Sequence, residues 1–400
     1  MIESRQNGIA KKILMVTTVP ITLKAFLLPY ADNLRGLGWK VDCLSRDVSM
    51  DAECASHFDN CHDISWSRNP FSISNLSAFH SLVKRARELA VNGRYDIIHV
   101  HTPVAAFITR YALRNIRAEL GAVVIYTAHG FHFYSGGNYF KNFIFRMAEK
   151  KAANWTDLLI VMNGEDNQAA LSFLPPERVV KMNGVGLDLE YYSEKNVSPE
   201  KISNMRRSIG VKDSDKLFSF VAEFNPGKCH ADVIKALAMA NNKSFHLVFA
   251  GTGDLENKMK ELSVELNVAE RVHFIGYQSD IRPLLAASDA MVTPSRREGL
   301  PRSVMESMAM RTLVIGADIR GTIDLLKDGC GMLVKSDNKI AGFAEAMVYC
   351  ADEKNADEIN RITCSAYNRI INYDIKVLIK GHEKIYDMVK KIDKQKLSHR

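Results

Sequence analysis

Two glutamates eight residues apart, Glu298 and Glu306, have the side-chain chemistry and the spacing to recognise hydroxyl groups. Glu298 lies in the loop after an apolar strand expected at 290–293, and Glu306 lies two turns into a helix expected at 301–310. An ionised carboxylate can accept hydrogen bonds from two hydroxyls at once, which suits the recognition of a sugar. The alternative is a solvated loop glutamate and an ordinary helix glutamate, and spacing alone favours that alternative.

The residues between the two glutamates predict a helix that begins at the carboxyl end of a strand. Pro301 stands at a natural first-turn position of this helix. A helix start presents free backbone N–H groups and the positive end of the helix dipole, which suits a diphosphate. The residues expected around such a group are Gly299, Leu300, Pro301, Arg302 and Ser303.

Histidines follow two strands of the first half. His129 comes just after a strand expected at 122–127, and His99 and His101 lie at the end of a strand expected at 96–100. A neutral imidazole can donate to a phosphate or hydroxyl oxygen, and a charged one stabilises a leaving group more strongly. His101 is equally well explained as a histidine with its hydrogen bonds satisfied in the core.

The glutamates and histidines named above can lie close together only if the strands before them end at one edge of a sheet. The hydrophobic pattern predicts such strands in alternation with helices. The alternation predicts an α/β fold of two Rossmann-like domains with parallel sheets that face a central cleft, where ligands are expected at the carboxyl ends of the strands. In the first half we expect strands near 13–17, 40–44, 96–100, 122–127 and 157–162, and helices near 23–37, 75–92, 103–117, 139–153 and 165–173. In the second half we expect strands near 216–222, 245–250, 272–275, 290–293 and 312–316, and helices near 229–241, 254–267, 301–310 and 340–351.

The predicted domains are 1–195 and 196–371, followed by a final segment, 372–400, that ends in a basic tail. A stretch without strong periodicity, 183–199, is interpreted as the connection. Within the first predicted helix, Pro29 predicts a kink or a late start.

Composition excludes several classes of protein. The 400 residues are 46% hydrophobic and 25% charged, which is typical of globular domains. Seven cysteines without a CxxC pair indicate neither a disulfide framework nor a zinc knuckle, and an apolar run near the N-terminus is too short for a signal peptide, so we expect a cytoplasmic protein. The net charge of +7 could serve a phosphate-bearing substrate or an anionic membrane face, and we expect no nucleic-acid partner.

One motif-like pattern is interpreted as structural, and another motif is absent where it would be expected. Asp213 and Asp215 form a DxD, but they precede a strand and are interpreted as a loop turn, so no metal site is predicted. Neither half opens with a GxGxxG turn, which disfavours a dinucleotide oxidoreductase.

The stretch 289–314 resembles the EX7E signature of the retaining glycosyltransferase family 4, which has the GT-B fold. The resemblance extends through 318–326 and 329–334, and upstream through 250–254, 271–276 and 280–285. In the first half, 17–28, 99–103 and 126–134 resemble the capsule, exopolysaccharide and O-antigen branch of that family.

This resemblance implies that a helix in the segment 372–400 crosses back to the first domain. It also implies roles for residues of the second half. Glu298 would touch the hydroxyls of the donor sugar and Glu306 the ribose hydroxyls of the nucleotide. The N–H groups around 300–304 would hold the diphosphate, and Gly276 is expected among the donor-binding residues. Lys228 matches a family lysine that neutralises the leaving diphosphate.

The sequence departs from the family pattern at two places. Glu223 stands where many members have an arginine, and Arg302 or Asn225 is expected to replace that phosphate contact. The first loop lacks the usual paired glycines, and Thr18 or backbone N–H groups are expected to replace their contact. In the first half, the resemblance gives His129 a contact with the donor and places His101 on the acceptor side.

The implied reaction is metal-independent transfer of a hexose or N-acetylhexosamine from a nucleotide diphosphate sugar, expected to be UDP-linked, to a growing polyprenyl-linked glycan. Two segments that mix aromatic and basic residues, 79–94 and 139–151, suit contact with an anionic membrane or an ordinary helix with one buried face. The alternatives for function are a UDP-sugar epimerase or phosphorylase on a similar scaffold, and a non-catalytic nucleotide-sugar-binding subunit.

Overall fold

The computed structural model describes residues 11–67 and 79–397. The chain forms two compact units. The first consists of Met1–Gly186 and Ile375–Arg400, and the second of Leu187–Asp374. The division therefore falls before the predicted boundary at 195/196, because Leu187 is buried in the second unit and its N–H donates to the carbonyl of Tyr373.

The first unit contains a seven-stranded parallel sheet in its described part. Its strands are β1 (Lys12–Val16), β2 (Lys40–Ser45), β3 (Asn60–Asp63), β4 (Ile97–His101), β5 (Val123–Ala128), β6 (Leu158–Val161) and β7 (Val179–Lys181). They lie in the order β3-β2-β1-β4-β5-β6-β7. The central strand β4 therefore lies between β1 and β5, and the carboxyl ends of β1, β4 and β5 lie side by side.

Helices cover this sheet on both faces. They are α1 (Pro20–Phe26), α2 (Leu28–Gly36), α3 (Ala52–His57), α4 (Phe79–Gly93), α5 (Pro103–Leu113), α6 (Arg117–Leu120), α7 (Tyr139–Ala153) and α8 (Gly164–Leu171). Alternate residues of β1 belong to different cores, since Leu14 and Val16 pack in one cluster and Ile13 and Met15 in the other. This alternation is expected for a strand whose two faces are both covered.

The second unit repeats this plan with a six-stranded parallel sheet. Its strands are β8 (Lys216–Val221), β9 (Phe245–Ala250), β10 (Val272–Phe274), β11 (Ala290–Thr293), β12 (Leu313–Ala317) and β13 (Met332–Val334), in the order β10-β9-β8-β11-β12-β13. Its helices are α9 (Pro199–Ser208), α10 (His230–Ala240), α11 (Glu256–Glu265), α12 (Arg282–Ala287), α13 (Arg302–Ala309), α14 (Thr322–Leu326), α15 (Lys339–Ala351) and α16 (Ala356–Ile370). Short 3-10 turns join several of these elements.

The last helix, α17 (Ile375–Leu397), belongs to the first unit. Its apolar residues Leu378, Ile385 and Tyr386 are buried in the same core as Ile13 and Met15 of β1. The helix therefore covers one face of the first sheet, although it follows the second unit in the sequence.

Pro29 acts as the sequence predicted, by interrupting the first helical segment. Helix α1 ends at Phe26, α2 begins at Leu28, and Leu27 between them is buried. Pro29 then occupies the first turn of α2, where a proline leaves no intrahelical hydrogen bond unmade.

Candidate active site

In the second unit, the loops after β8 and β11 meet at the carboxyl edge of the sheet. Lys228 Nζ lies 2.7 Å from Glu298 Oε1. The two loops are also joined by the N–H of Arg296, which donates to the carbonyl oxygen of Gly227 at 2.9 Å. The Glu298 side chain is only 12% exposed, so its charge is balanced mainly by the lysine. The structure thus brings together two residues that the sequence singled out separately.

A third loop, after β12, also contacts the Glu298 loop. The buried Arg320 donates through Nε to the carbonyl oxygen of Glu298 at 3.1 Å. Gly321 has φ +79°, and a Cβ there would collide with the carbonyl of Gly299. No role was predicted for Arg320 from the sequence. The pattern that could have identified it is an arginine directly before a glycine, in a loop that follows a predicted strand.

Glu306 is buried on α13 and has two polar neighbours. Arg302 Nε donates to Glu306 Oε1 at 2.9 Å. Tyr192 is the other neighbour; burial and the nearby carboxylate of Glu306 raise the pKa of its hydroxyl above the ordinary range. Sequence reasoning missed Tyr192, because it lies in the segment interpreted as a connection and more than a hundred residues from Glu306.

The start of α13 presents backbone donors where the sequence expected them. The helix begins at Arg302, and Pro301 precedes it with φ −71° and ψ 118°. Proline offers no side-chain oxygen to cap the first N–H groups, and the backbone N–H groups of Ser303 and Val304 lie in this first turn, where the positive end of the helix dipole favours an anion. Leu300 and Gly299 complete the loop between Glu298 and the helix.

Asn225 and Gly276 hold loop geometry at the neighbouring strand ends. The amide of Asn225 donates to Glu223 Oε2 at 3.1 Å, and its oxygen accepts from the N–H of Gly227 at 3.0 Å. The carbonyl of Gly276 accepts from the N–H of Gly251 at 2.8 Å. Glu223 thus has a partner on its own loop, and the Asn225 side chain engages the backbone of Gly227, directly before Lys228.

In the first unit, Thr18 and His129 in the loops after β1 and β5 and His101 at the end of β4 lie at one edge of the sheet. His101 Nδ1 lies 3.2 Å from His129 Nε2, a hydrogen bond that needs one proton between the two rings. Thr18 Oγ1 lies 2.6 Å from Thr102 Oγ1, which also accepts from the N–H of Thr18 at 3.1 Å. The Thr18 side chain therefore engages the neighbouring loop.

The His101–His129 pair continues inward through His99 and His382. The rings of His99 and His101 lie 4.1 Å apart, and those of His99 and His382 lie 6.1 Å apart. Burial lowers the pKa of His129 and of His382 to about 4, and it holds those of His99 and His101 well below the ordinary value. Of the two protonation states considered for His129, the neutral one is therefore present at neutral pH.

This buried cluster predicts an acid sensitivity of the first unit. Each histidine is neutral in the folded chain and gains a proton when exposed, so its contribution is complete above the ordinary pKa near 6.5 and is lost as the pH falls towards 4. At pH 5 the loss is on the order of 2 kcal/mol for His382. We expect His382→Leu to flatten the pH dependence of urea unfolding between pH 7.5 and 5, followed by tryptophan fluorescence.

The matched control is His80→Gln, which changes an exposed histidine of α4. All three tryptophans, Trp39, Trp66 and Trp155, lie in the first unit, so the fluorescence signal reports on that unit. An equal pH dependence for wild type and His382→Leu would contradict the assignment of this linkage to the buried cluster.

Among the described residues, no group of three or more His, Cys, Asp or Glu side chains is arranged to hold a metal ion. Asp213 and Asp215 lie just before β8, and Asp215 Oδ2 accepts from the N–H of Lys212 at 3.0 Å. The DxD therefore forms a turn at the amino end of its strand.

The two segments with mixed aromatic and basic residues differ in exposure. Helix α4 buries its apolar residues Leu82, Ala86 and Leu89 and exposes its cations, as an ordinary amphipathic helix does. Helix α7 instead exposes Tyr139, Phe140, Phe143 and Met147. Within the described ranges, no helix has the length and apolar character needed to cross a bilayer.

Comparison with known families matches both halves of the chain. Residues 26–184 match the family described as "Glycosyltransferase Family 4", and residues 201–369 match "Glycosyl transferases group 1". The first match lies within the first unit and the second within the second unit.

Individual relatives and a solved structure agree with these matches. The chain is 34% identical over 335 residues to the Bacillus subtilis (strain 168) protein named "Putative glycosyltransferase EpsD", covering 83% of this chain and 85% of the relative. It is 29% identical over 341 residues to an Escherichia coli protein named UDP-Gal:alpha-D-GlcNAc-diphosphoundecaprenol alpha-1,3-galactosyltransferase, covering 82% and 80%. A crystal structure of Anabaena HepE in complex with UDP aligns with a TM-score of 0.76 and 18% identity over 95% of this chain and 100% of that one, which confirms the predicted fold class.

Proposed function

Because this chain belongs to the family 4 glycosyltransferases of the GT-B fold, we propose that it transfers a hexose or N-acetylhexosamine from a nucleotide diphosphate sugar to a growing, polyprenyl-linked glycan in bacterial surface polysaccharide synthesis. The observation that supports this proposal most directly is the carboxyl edge of the second sheet. There, Glu298 is paired with Lys228 and Glu306 lies buried beside a helix start. Carboxylates that can accept hydrogen bonds from sugar hydroxyls and N–H groups that can donate to a diphosphate are thus concentrated at one edge of the sheet.

The proposed roles follow from this chemistry. Glu306 accepts hydrogen bonds from the ribose hydroxyls, and the first N–H groups of α13 hold the diphosphate. Glu298 accepts from hydroxyls of the donor sugar, and Lys228 balances the charge that develops on the leaving diphosphate. In the first unit, neutral His129 contacts the donor through a hydrogen bond, and His101 lies on the acceptor side.

We propose that the reaction retains the anomeric configuration and needs no metal ion. The acceptor hydroxyl attacks the anomeric carbon on the face from which the nucleotide diphosphate departs. The bond from that carbon to the phosphate oxygen breaks as the new glycosidic bond forms, and the acceptor proton passes to the leaving phosphate oxygen. Lys228 and the N–H groups of α13 supply the electrostatic stabilisation that a metal ion supplies in other transferases.

UDP is the proposed nucleotide, and two comparisons support it. The relative from Escherichia coli is named for a UDP-galactose donor, and the solved structure of Anabaena HepE holds UDP. The same relative's name supports a diphosphopolyprenol acceptor, and the exposed aromatic face of α7 is the part of this chain suited to peripheral contact with an anionic membrane.

We expect wild-type protein to bind UDP in calorimetric titration in the presence of EDTA. Glu306→Gln should weaken this binding by about ten- to a hundredfold, because it removes charge-assisted hydrogen bonds to the ribose. The matched control is Glu345→Gln on the exposed face of α15, which should leave the UDP affinity unchanged.

Other results would redirect the proposal. Binding of GDP or ADP in place of UDP would keep the fold and change the donor. Turnover of a UDP-sugar by epimerisation or phosphorolysis without an acceptor would favour an epimerase or phosphorylase. UDP-sugar binding with no transfer across a broad acceptor panel would favour a non-catalytic binding subunit. Absence of nucleotide binding with and without added metal would contradict the proposed function.

A further inference from the structure

A groove of the first unit lies beside α7. It has a volume of about 980 Å³ and is bounded by the loop after β5 and by helices α7 and α8. Its lining combines aromatic rings with polar side chains, including Phe133, Tyr134, Asn142, Phe143, Arg146 and Glu165.

The rim of this groove is held by hydrogen bonds from both helices. Asn142 of α7 donates to the carbonyl of Tyr134 at 2.8 Å and accepts from the N–H of Tyr134 at 3.3 Å. Glu165 of α8 accepts from the N–H of Ser135 at 2.8 Å. A Cβ at Gly137 would press against the Asn142 amide, so a larger residue there would disturb the rim. The loop is thus positioned before any ligand arrives.

Arg146 gives the groove a cation suited to phosphate. Its guanidinium lies over the ring of Phe133, with 5.2 Å between the guanidinium carbon and the ring centroid, and the side chain is exposed. No ion pair between described residues involves Arg146, whereas α7 pairs its Glu149 with Arg110. A planar guanidinium that has no carboxylate partner can bind a phosphate with two parallel hydrogen bonds.

The remaining lining suits a sugar. The carboxylate of Glu165 and the amide of Gln168 can pair with hydroxyls or an acetamido group, and the rings of Tyr134 and Phe143 offer flat apolar faces to the C–H side of a pyranose. Acidic and basic groups thus line one groove, which fits a ligand with a polar sugar and an anionic diphosphate.

The groove opens onto the exposed aromatic face of α7. Tyr139 is 87% exposed and Phe143 57%, and both also line the groove. Phe140 and Met147 extend this face along the helix. Contiguous exposed apolar side chains of this kind mark a binding surface, and here they adjoin a polar groove. The ligand that fits both parts is an amphiphile.

We infer that this groove binds the glycosyl diphosphate head of a lipid-linked acceptor, with Arg146 on the diphosphate and the exposed face of α7 against the lipid chain. The inference rests on the proposed function for the class of acceptor. It adds a binding site and a phosphate-binding residue in the first unit, separate from the carboxylates and the lysine of the second unit.

The test uses N-acetylglucosamine diphosphate linked to a short alkyl chain, titrated into full-length protein. Two further probes, the alkyl diphosphate without the sugar and the alkyl N-acetylglucosaminide without the diphosphate, separate the two parts of the head. Wild type should bind the complete probe most tightly. Arg146→Gln should lose about tenfold or more in affinity for both diphosphate probes and keep its affinity for the third.

Lys150→Gln is the matched control, since Lys150 is an exposed cation one turn further along α7 that does not line the groove. UDP affinity should be equal in all three proteins. An Arg146→Gln variant that binds the probes like wild type, a Lys150→Gln variant that is equally impaired, or wild type that binds none of the probes would overturn the inference. Failure of wild type to bind UDP would instead count against the proposed function. The results with the three probes would then still show whether the groove binds the glycosyl diphosphate head.

Discussion

Lys228→Ala should lower kcat of the proposed transferase by about 100- to 1,000-fold, the range seen when one preorganised electrostatic group is removed from an active site. Lys228 is the cation placed 2.7 Å from Glu298, and its side chain is 29% exposed, so part of its charge faces solvent. In the proposed mechanism its charge stabilises the leaving diphosphate more in the transition state than in the bound donor. The effect should therefore fall on kcat more than on the KM of the donor.

Lys235→Ala is the control for this measurement, because Lys235 lies exposed on α10, just after the Lys228 loop. Initial rates with a UDP-sugar donor should be unchanged in the control. Glu298→Gln provides a second arm, since it removes the carboxylate and leaves the lysine without its partner. Equal kcat values for Lys228→Ala and wild type would remove the lysine from the catalytic machinery.

Ten of the thirteen strands that the structure describes could be predicted, because their residues carry a clear hydrophobic pattern, whereas helices such as α9 and α16 were not predicted. Strand β5, for example, is fully buried, and its run of apolar residues predicted a buried strand. Three short edge strands were missed: β3, β7 and β13. The residues of β3 are mostly polar and at most half-buried, so no hydrophobic run or alternation identifies them. Their pairing depends on a neighbouring strand that the local sequence does not show.

Individual site residues could be predicted where a charged or polar residue directly follows a predicted strand. Contacts between residues far apart in the sequence could not be predicted. Glu298 and Lys228 could each be placed in a loop at a strand end, but their ion pair depends on β8 and β11 being neighbours in the sheet. Tyr192 could not be found, because its contact with Glu306 depends on a segment without periodicity packing onto the second unit.

Exposure separates two helices that look alike in sequence. Both α4 and α7 mix aromatic and basic residues, and composition left membrane contact and an ordinary amphipathic helix equally open for each. The structure buries the apolar side of α4 and leaves Tyr139 and Phe140 of α7 exposed. Which face of a helix is covered depends on its neighbours in space, and a single sequence does not report them.

A buried ion pair that fixes α7 to the first unit predicts the largest change in stability. Arg110 of α5 is 1% exposed, and its Nη2 donates to Glu149 Oε2 of α7 at 2.9 Å. The guanidinium also lies over the ring of Tyr126, and it donates to the carbonyl of Ala106 and to Thr156 Oγ1. Glu149 is the only carboxylate with which it forms an ion pair among the described residues.

Glu149→Ala should therefore destabilise the first unit by about 3–5 kcal/mol, because it leaves a buried guanidinium without a counter-charge. Arg110→Met combined with Glu149→Leu should recover most of this loss, since apolar side chains of similar volume carry no desolvation cost. Urea unfolding followed by tryptophan fluorescence measures both variants in the first unit, where all three tryptophans lie.

Glu88→Ala supplies the comparison for an exposed pair. Lys84 and Glu88 of α4 lie 3.9 Å apart with side chains 78% and 49% exposed, and such a pair contributes less than about 1 kcal/mol. UDP affinity should survive in every variant, because the nucleotide is assigned to the second unit. If Glu149→Ala were no more destabilising than Glu88→Ala, α7 would be held by its apolar contacts alone. The groove beside it would then keep its shape without the ion pair. A large loss would instead mean that the helix beside the proposed acceptor site is held in position by this buried charge pair.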